Sequence, residues 1–352
     1  MDILVVGAGP TGLSAALMAA KLGFKPRVIE RRATGSNLSR AVGLLPATMP
    51  IFARLGVLER IRAKAVEIEE AKIITNDKVA AILPLASDPD PAVRLLSLPQ
   101  DRTEAILEDA LAEHGVNVEY DKPFESATQE GDRVHVTMGG GERATFDEVL
   151  GADGAKSLVR DAIGVEAKGF ELAEDWSIAD IDVPAPLPKQ IRLYLDGSHD
   201  VVFMIPLEAK RARLVSNTSD ALKTARGRLE LAEVRRAGAF RISVRQVDRY
   251  RVGGISLAGD AAHTHSPVGG RGMNLGIADA ADWAERLAAG TLSGYSAARH
   301  VAGKHAIAFS ERGRRTILGG SGTKRSLAVA AISVASRLPI VRKRLGRLFL
   351  TG

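Results

Sequence analysis

The chain has 352 residues, 45% hydrophobic and 26% charged, with a net charge of +6, no cysteine and a mean hydropathy of +0.01. That length allows two domains or one large one with a substantial core, and hydropathy near zero argues against an integral membrane protein. The missing cysteines remove disulfides, thiolate metal sites and redox-active dithiols, and no metal cluster is expected.

The chain opens directly on an apolar strand pattern, without a charged leader or cleavage site, so no secretory signal is expected and a cytoplasmic location is. Ile3-Leu4-Val5-Val6 leads into Gly7-Ala8-Gly9-Pro10-Thr11-Gly12 and then into helix formers from Leu13 to Ala20. Strand, tight turn and helix in that order are the context of a dinucleotide fingerprint. Gly7 permits the turn, Gly9 lets the backbone approach a pyrophosphate, and Gly12 lets helix and strand pack closely. The helix start then offers free N–H groups to phosphate. Glu30 ends the next strand, Arg27-Val28-Ile29, where an acid accepts a ribose hydroxyl. Pro46 to Arg62 carries apolar residues at helical spacing, interrupted by Gly56. Short strands are expected around Ala71–Thr75, Val79–Leu83 and Val93–Leu98. Asp101 to His114 is expected as a helix with Asp101 as its N-cap. A strand at Val116–Tyr120 and a hairpin of Phe124–Thr128 with Arg133–Met138 follow, and Gly139-Gly140-Gly141 is a turn because no helix comes after it.

Phe146–Leu150 is a buried strand ending at Gly151-Ala152-Asp153-Gly154. Alternating runs at Ile191–Leu195, Val201–Ile205 and Arg213–Val215 make the next segment β-rich. Ile255 to Ala258 returns to an apolar strand before Gly259-Asp260, and from Asn274 the chain is essentially helical. The expected organisation is α/β, with a dinucleotide domain built from 1–165 and 251–352 and an inserted β-sheet domain at 166–250. From Arg299 onward twelve Lys/Arg face one acid, Glu311, so the positive charge is concentrated in the tail. Basic residues confined to a tail poor in aromatics do not make a nucleic-acid surface. They are expected to form a solvated helical face, with weak docking on an anionic membrane surface as the sharper alternative. Leu327–Leu338 is too short to span a bilayer.

Three motifs in series carry more than any one alone: Gly7–Gly12, then Gly151-Ala152-Asp153-Gly154 continued to Arg160, then Gly259-Asp260-Ala261-Ala262-His263 continued by Pro267-Val268-Gly269-Gly270-Arg271-Gly272-Met273-Asn274 and Asp279-Ala280. In this combination the chain resembles the FAD-dependent aromatic hydroxylases of the p-hydroxybenzoate hydroxylase type, a group of flavoprotein monooxygenases, over nearly its whole length. The resemblance is thinnest from Glu166 to Ala239. It implies a Rossmann-like FAD-binding domain assembled from both chain ends, with an inserted β-rich substrate domain and C-terminal helices.

The resemblance assigns Gly7, Gly9, Pro10, Thr11 and Gly12 to the pyrophosphate and Glu30 to the adenosine ribose, with Arg31, Arg40 and Arg102 as further cofactor contacts. It assigns Asp260 to the ribityl and pyrophosphate region. Pro267, Gly269, Gly270, Arg271, Gly272, Met273 and Asn274 fall beside the flavin ring, and Asp153 serves FAD and the nicotinamide. Helix-start N–H groups and Arg side chains suit a diphosphate and an anionic reduced flavin. Arg271 stands where Gln is common, and its charge is expected to raise the flavin potential. The stretch from Asp153 to Asp260 is shorter than in typical members, which leaves the cavity's size open. Phe203, Ile205 and Phe240 are candidates for the cavity wall or for core packing.

The implied function is an NAD(P)H-driven monooxygenase in which NADPH or NADH reduces FAD transiently, and a flavin hydroperoxide hydroxylates an aromatic or polycyclic small molecule. Alternatives are an FAD-dependent reductase of an isoprenoid lipid and a non-catalytic FAD-binding protein or biosynthetic subunit. A flavin halogenase is disfavoured because Trp176 and Trp283 stand in unrelated contexts. The sequence identifies no catalytic base and leaves the substrate, the choice of nicotinamide and the oligomeric state open.

Overall fold

The computed structural model describes residues 1–35, 41–86, 88, 90, 94–195, 200–318, 322–336 and 338–351. Ile3–Val6, buried at all four positions, lies at the middle of a six-stranded sheet. It pairs in parallel with Arg27–Ile29 on one side and with Glu148–Gly151 on the other. Glu148–Gly151 in turn pairs in parallel with Ile255–Leu257. Segments from the start, the middle and the last third of the chain are therefore hydrogen-bonded into one sheet. An apolar run without alternation is what a strand covered on both faces requires.

The helices are α1 (Pro10–Lys21), α2 (Met49–Leu55), α3 (Leu58–Lys64), α4 (Gln100–Ala112), α5 (Leu158–Ala162), α6 (Ala221–Thr224), α7 (Gly272–Ala289), α8 (Tyr295–Leu318), α9 (Gly322–Ala335) and α10 (Pro339–Thr351). α1 starts with Pro10 at its first position, where the missing N–H costs nothing, and nine of its twelve residues are buried. Leu13 and Leu17 are fully covered, each contributing about 1.5–3 kcal/mol of hydrophobic stabilisation. α1 packs against α7 through Thr11: a Cβ on Gly276 would overlap the Thr11 hydroxyl, and one on Gly259 would come within 2.6 Å of it. Two glycines near the end of the chain thus make room for one side chain near its start.

A second, seven-stranded sheet runs Glu233–Phe240, Trp176–Asp182, Arg211–Ser216, Val201–Glu208, Gln190–Leu195, Glu70–Thr75 and Lys78–Pro84. Its first five strands come from the inserted segment. The last two come from within 1–165 and join through a parallel pairing of Glu70–Thr75 with Gln190–Leu195. Alternation of inward and outward residues marks Glu70–Thr75 as a strand without saying which sheet it completes. α10 packs below this sheet's edge, where Leu350 joins a cluster with Ile68, Leu95 and Ile191.

The region 46–62 is interrupted at Gly56 as expected: it is divided into a 3-10 turn, α2 and α3, with Gly56 at φ +76° at the end of α2. One local expectation is corrected. Asp101 is not the N-cap of α4: Pro99 holds that position without a side-chain cap, and Asp101 lies in the first turn, where its charge still meets the helix dipole.

Candidate functional site

The fingerprint turn is fixed by backbone crowding. Gly7 has φ +107°, and a Cβ there would overlap the Ala152 carbonyl oxygen; a Cβ on Gly12 would overlap the carbonyl oxygen of Gly7. A Cβ on Gly9 would meet nothing within 4 Å, so the backbone at the start of α1 faces open space. Gly9 is also the N-cap of α1 and gives it no side-chain cap. An uncapped helix start beside open space is a place for an anion.

Glu30 is buried beside this turn. Its Oε2 accepts the Ala8 N–H at 2.8 Å and its Oε1 accepts the Arg32 N–H at 3.0 Å. The Arg32 guanidinium pairs with the same carboxylate at 3.0 Å, so the basic neighbour engaged with Glu30 is Arg32, two residues on, rather than Arg31. Burial pushes the Glu30 carboxyl up, but the Arg32 side chain and the two N–H donors outweigh it and hold it below the ordinary range. Opposite stands Asp153. Its carboxylate accepts from Ser157 Oγ at 2.5 Å and the Val159 N–H at 3.2 Å, steadying the start of α5. Burial raises its pKa.

The third motif is held from below. Asp279 on α7 has 0% exposure; its carboxylate takes the Gly259 N–H at 3.0 Å, His263 Nε2 at 2.6 Å and Arg299 Nε at 2.6 Å. Gly259–Ala261, β-paired His263 and helices α7 and α8 are thereby tied to one point. His263 is buried in this network, a structural role. Arg160, at the end of the second motif, donates to the Ala261 carbonyl at 3.2 Å and joins motifs two and three. Asn274 spends its side chain on shape: it accepts from the Leu45 N–H and Thr48 Oγ1, and donates to the carbonyls of Gly43 and Gly270.

Two cavities meet at this constellation. The smaller, about 240 Å³, is lined by Gly7, Gly9, Glu30, Arg31 and Asp153, with Gln100 and Glu104 from α4. The larger, about 620 Å³, includes Gly9, Pro10, Thr11, Arg31, Asp260, Pro267 and Gly269 to Met273. They share Gly9, Arg31, Arg32, Gln100, Ala152 and Gly154, so they form one cleft. The far wall of the larger is the face of the second sheet: Trp176, Ile178, Phe203, Val215 and Phe240, with Ile205 and Ile191 beside them. Phe203, Ile205 and Phe240 are therefore wall residues. Glu30, Asp153 and the glycines come together at the small end, and Asp260 with the 267–273 loop at the large one. Gly12 and Asn274 support the cleft without lining it. Arg102 is exposed and lines neither cavity. Gln100 and Glu104, one turn apart on the same helix face, take the place expected for it. Arg40 lies outside the described residues.

The open backbone at Gly9, the buried acid and the apolar chamber fit the phosphate, ribose and ring portions of FAD. The comparisons agree. The family model for the FAD binding domain matches residues 1–229 and 220–302. A 6-methylpretetramide 4-monooxygenase from Streptomyces rimosus is 29% identical over 318 residues, covering 82% of this chain and 55% of that protein. A dialkyldecalin synthase from Streptomyces rugosporus is 29% identical over 347 residues, covering 90% and 73%. The chain thus spans little more than half the length of the first of these relatives. The crystal structure of a p-nitrophenol 4-monooxygenase from Pseudomonas putida superposes with a TM-score of 0.87, covering 99% of this chain and 98% of that one at 22% identity. The chain belongs to the FAD binding domain family.

Proposed function

We propose that this chain is an FAD-dependent, NAD(P)H-driven monooxygenase that hydroxylates an aromatic or polycyclic small molecule. The observation that carries the reading is the continuous cleft, with a phosphate- and ribose-binding end opening into a chamber walled by Trp176, Phe203 and Phe240. The larger cavity, about 620 Å³, takes in both the 267–273 loop and the apolar sheet face and lies within the size range of small-molecule sites. Gly9 and the start of α1 would hold the diphosphate, Glu30 the ribose, and the Gly270–Met273 backbone the ring. FAD, when bound, supplies the acceptance of electrons from NAD(P)H and the delivery of oxygen from O2. The protein's part is to orient an electron-rich ring against that group and keep the chamber dry.

The test is NAD(P)H oxidation and O2 uptake by FAD-loaded protein across a panel of phenols and polycyclic aromatics. Oxidation stimulated by a ligand, with O2 consumed and a hydroxylated product, supports the reading. The similarity to a dialkyldecalin synthase favours a ring-forming synthase as the second reading, in which product forms without O2 or NAD(P)H consumption. A bound FAD with no reaction under any ligand would leave a binding subunit.

The tail supports an added surface contact. No helix among the described residues is long and apolar enough to cross a membrane. Leu338, Ile340 and Leu348 are nevertheless more than half exposed, beside Arg342, Lys343, Arg344 and Arg347. Apolar side chains among cations suit the surface of an anionic bilayer.

A further inference from the structure

Arg271 occupies an uncommon position for a cation. Its guanidinium carbon lies 4.1 Å from the centre of the Phe309 ring on α8, in cation–π geometry. Its Nε and Nη2 are buried with no hydrogen-bond partner, and no carboxylate pairs with it among the described residues. Burial alone acts on its charge and lowers its pKa from the ordinary arginine value. The other charged residues lining the large cavity are Arg31, Arg32 and Asp260; Arg31 and Arg32 follow Glu30 at the nucleotide end, and Asp260, at the same end as Arg271, makes no ion pair with it. Arg271 lines the same cavity as the apolar face of the second sheet. Val268 of the same loop packs in one cluster with Trp176, against Phe203, Val215 and Phe240. Its titratable neighbours in the cavity wall are Asp260 and His265; His265 Nδ1 bonds the Ser266 carbonyl at 2.9 Å, and burial holds this imidazole below its ordinary pKa.

A half-buried cation without a counter-ion, at the rim of an aromatic chamber, is a cost to the empty protein that an anionic ligand would offset. We infer that Arg271 reads an ionised oxygen, carboxylate or phenolate, on the aromatic substrate, and so selects acidic aromatics over their uncharged counterparts. This rests on the substrate chamber assigned above. The flat ring lies along the sheet face while the anion meets the guanidinium, and Phe309 holds the guanidinium in place from behind. Arginine suits the task because its delocalised guanidinium stays charged when half-buried and stacks on an aromatic face.

The test titrates FAD-loaded protein with 1-hydroxy-2-naphthoate and with its uncharged amide, read by the change in flavin absorbance. The unmodified protein is expected to bind the acid at least about tenfold more tightly than the amide, as a charge-assisted hydrogen bond gives. Arg271→Gln is expected to abolish that preference while changing amide affinity by less than about threefold. Arg271→Lys should keep part of it, because the charge remains without the flat group that stacks on Phe309. Equal binding of acid and amide by the unmodified protein, binding of neither, or a preference that survives Arg271→Gln overturns the inference. So does an Arg271→Gln protein that loses FAD, since the side chain would then serve the cofactor. Should Arg271→Gln fail to fold, Phe309→Leu carries the test: it removes the aromatic support and is expected to reduce the preference severalfold, and an unchanged preference overturns it. If the acid preference holds while no ligand of the panel above stimulates NAD(P)H oxidation, the monooxygenase reading fails and the anion site stands.

Discussion

Asp279→Asn is the perturbation that most directly tests how the third motif is held on α7 and α8. The substitution keeps the shape of the side chain but removes the charge facing Arg299, whose side chain is 12% exposed, and unsettles the bonds to Gly259 and His263. Removing one partner of a buried ion pair costs about 3–5 kcal/mol. That is large against the roughly 5–15 kcal/mol that holds a folded protein together. Unfolding entropy of about 2.1 cal/mol/K per residue amounts to about 0.7 kcal/mol/K for a chain of this length. The midpoint of thermal unfolding is therefore expected to fall by roughly 4–7 °C. The assay is circular dichroism melting with and without saturating FAD, which should raise both midpoints by mass action. Asp279→Asn combined with Arg299→Met should recover part of the loss, because no unpaired cation is left inside. The pH dependence has a fixed sign. Burial pushes the Asp279 carboxyl up, but His263, Arg299 and the Gly259 N–H outweigh it and set it below the ordinary carboxylate range. Its stabilisation is then complete above that range and is lost as pH falls through the depressed value. A drop of less than about 1 °C, or no recovery in the double variant, would refute the reasoning.

Gly12→Ala forces a methyl group into the Gly7 carbonyl and should weaken FAD binding by more than about tenfold, measured by quenching of FAD fluorescence; unchanged affinity would contradict the packing described. Glu119 is held down to about 2, chiefly by its hydrogen bond from Arg27, against 4.5 ordinarily. Its stabilisation is present above the ordinary value and fades as pH falls toward 2, so Glu119→Gln should flatten the acid side of a melting-temperature profile and leave its shape near neutrality unchanged. Vesicles of anionic phosphatidylglycerol should pull down the protein at low salt and neutral phosphatidylcholine should not, with Ile340→Ser and Leu348→Ser together reducing the bound fraction. Equal sedimentation with both lipids would remove the membrane contact.

Much of the nucleotide end was legible because its constraints are local. Gly7, Gly9 and Gly12 sit in a turn where a strand meets a helix, and spacing alone implies the crowding found there. Assembly from both ends was legible because Ile255–Leu257 is a bare apolar strand followed by a second glycine turn. What escaped the sequence depends on distant partners. Gly276 lies in mid-helix, and only the approach of Thr11 from the other end of the chain explains it. Asp279 stood in a quoted motif, but nothing in its neighbourhood announces Arg299 twenty residues on as its counter-charge. Helical phase could have found one omission: Gln100 and Glu104 share a face that Arg102 does not. The recruitment of Glu70–Thr75 and Lys78–Pro84 into the second sheet follows from tertiary pairing, which alternation along a strand does not encode.

Calorimetric titration of FAD into protein freed of bound nucleotide measures the central claim. The cleft built jointly by Gly7–Gly12, Glu30 and the Gly259–Asn274 segment predicts one FAD per chain and a yellow product with a flavin spectrum. A protein that takes up no FAD and stays colourless in its excess would contradict the account.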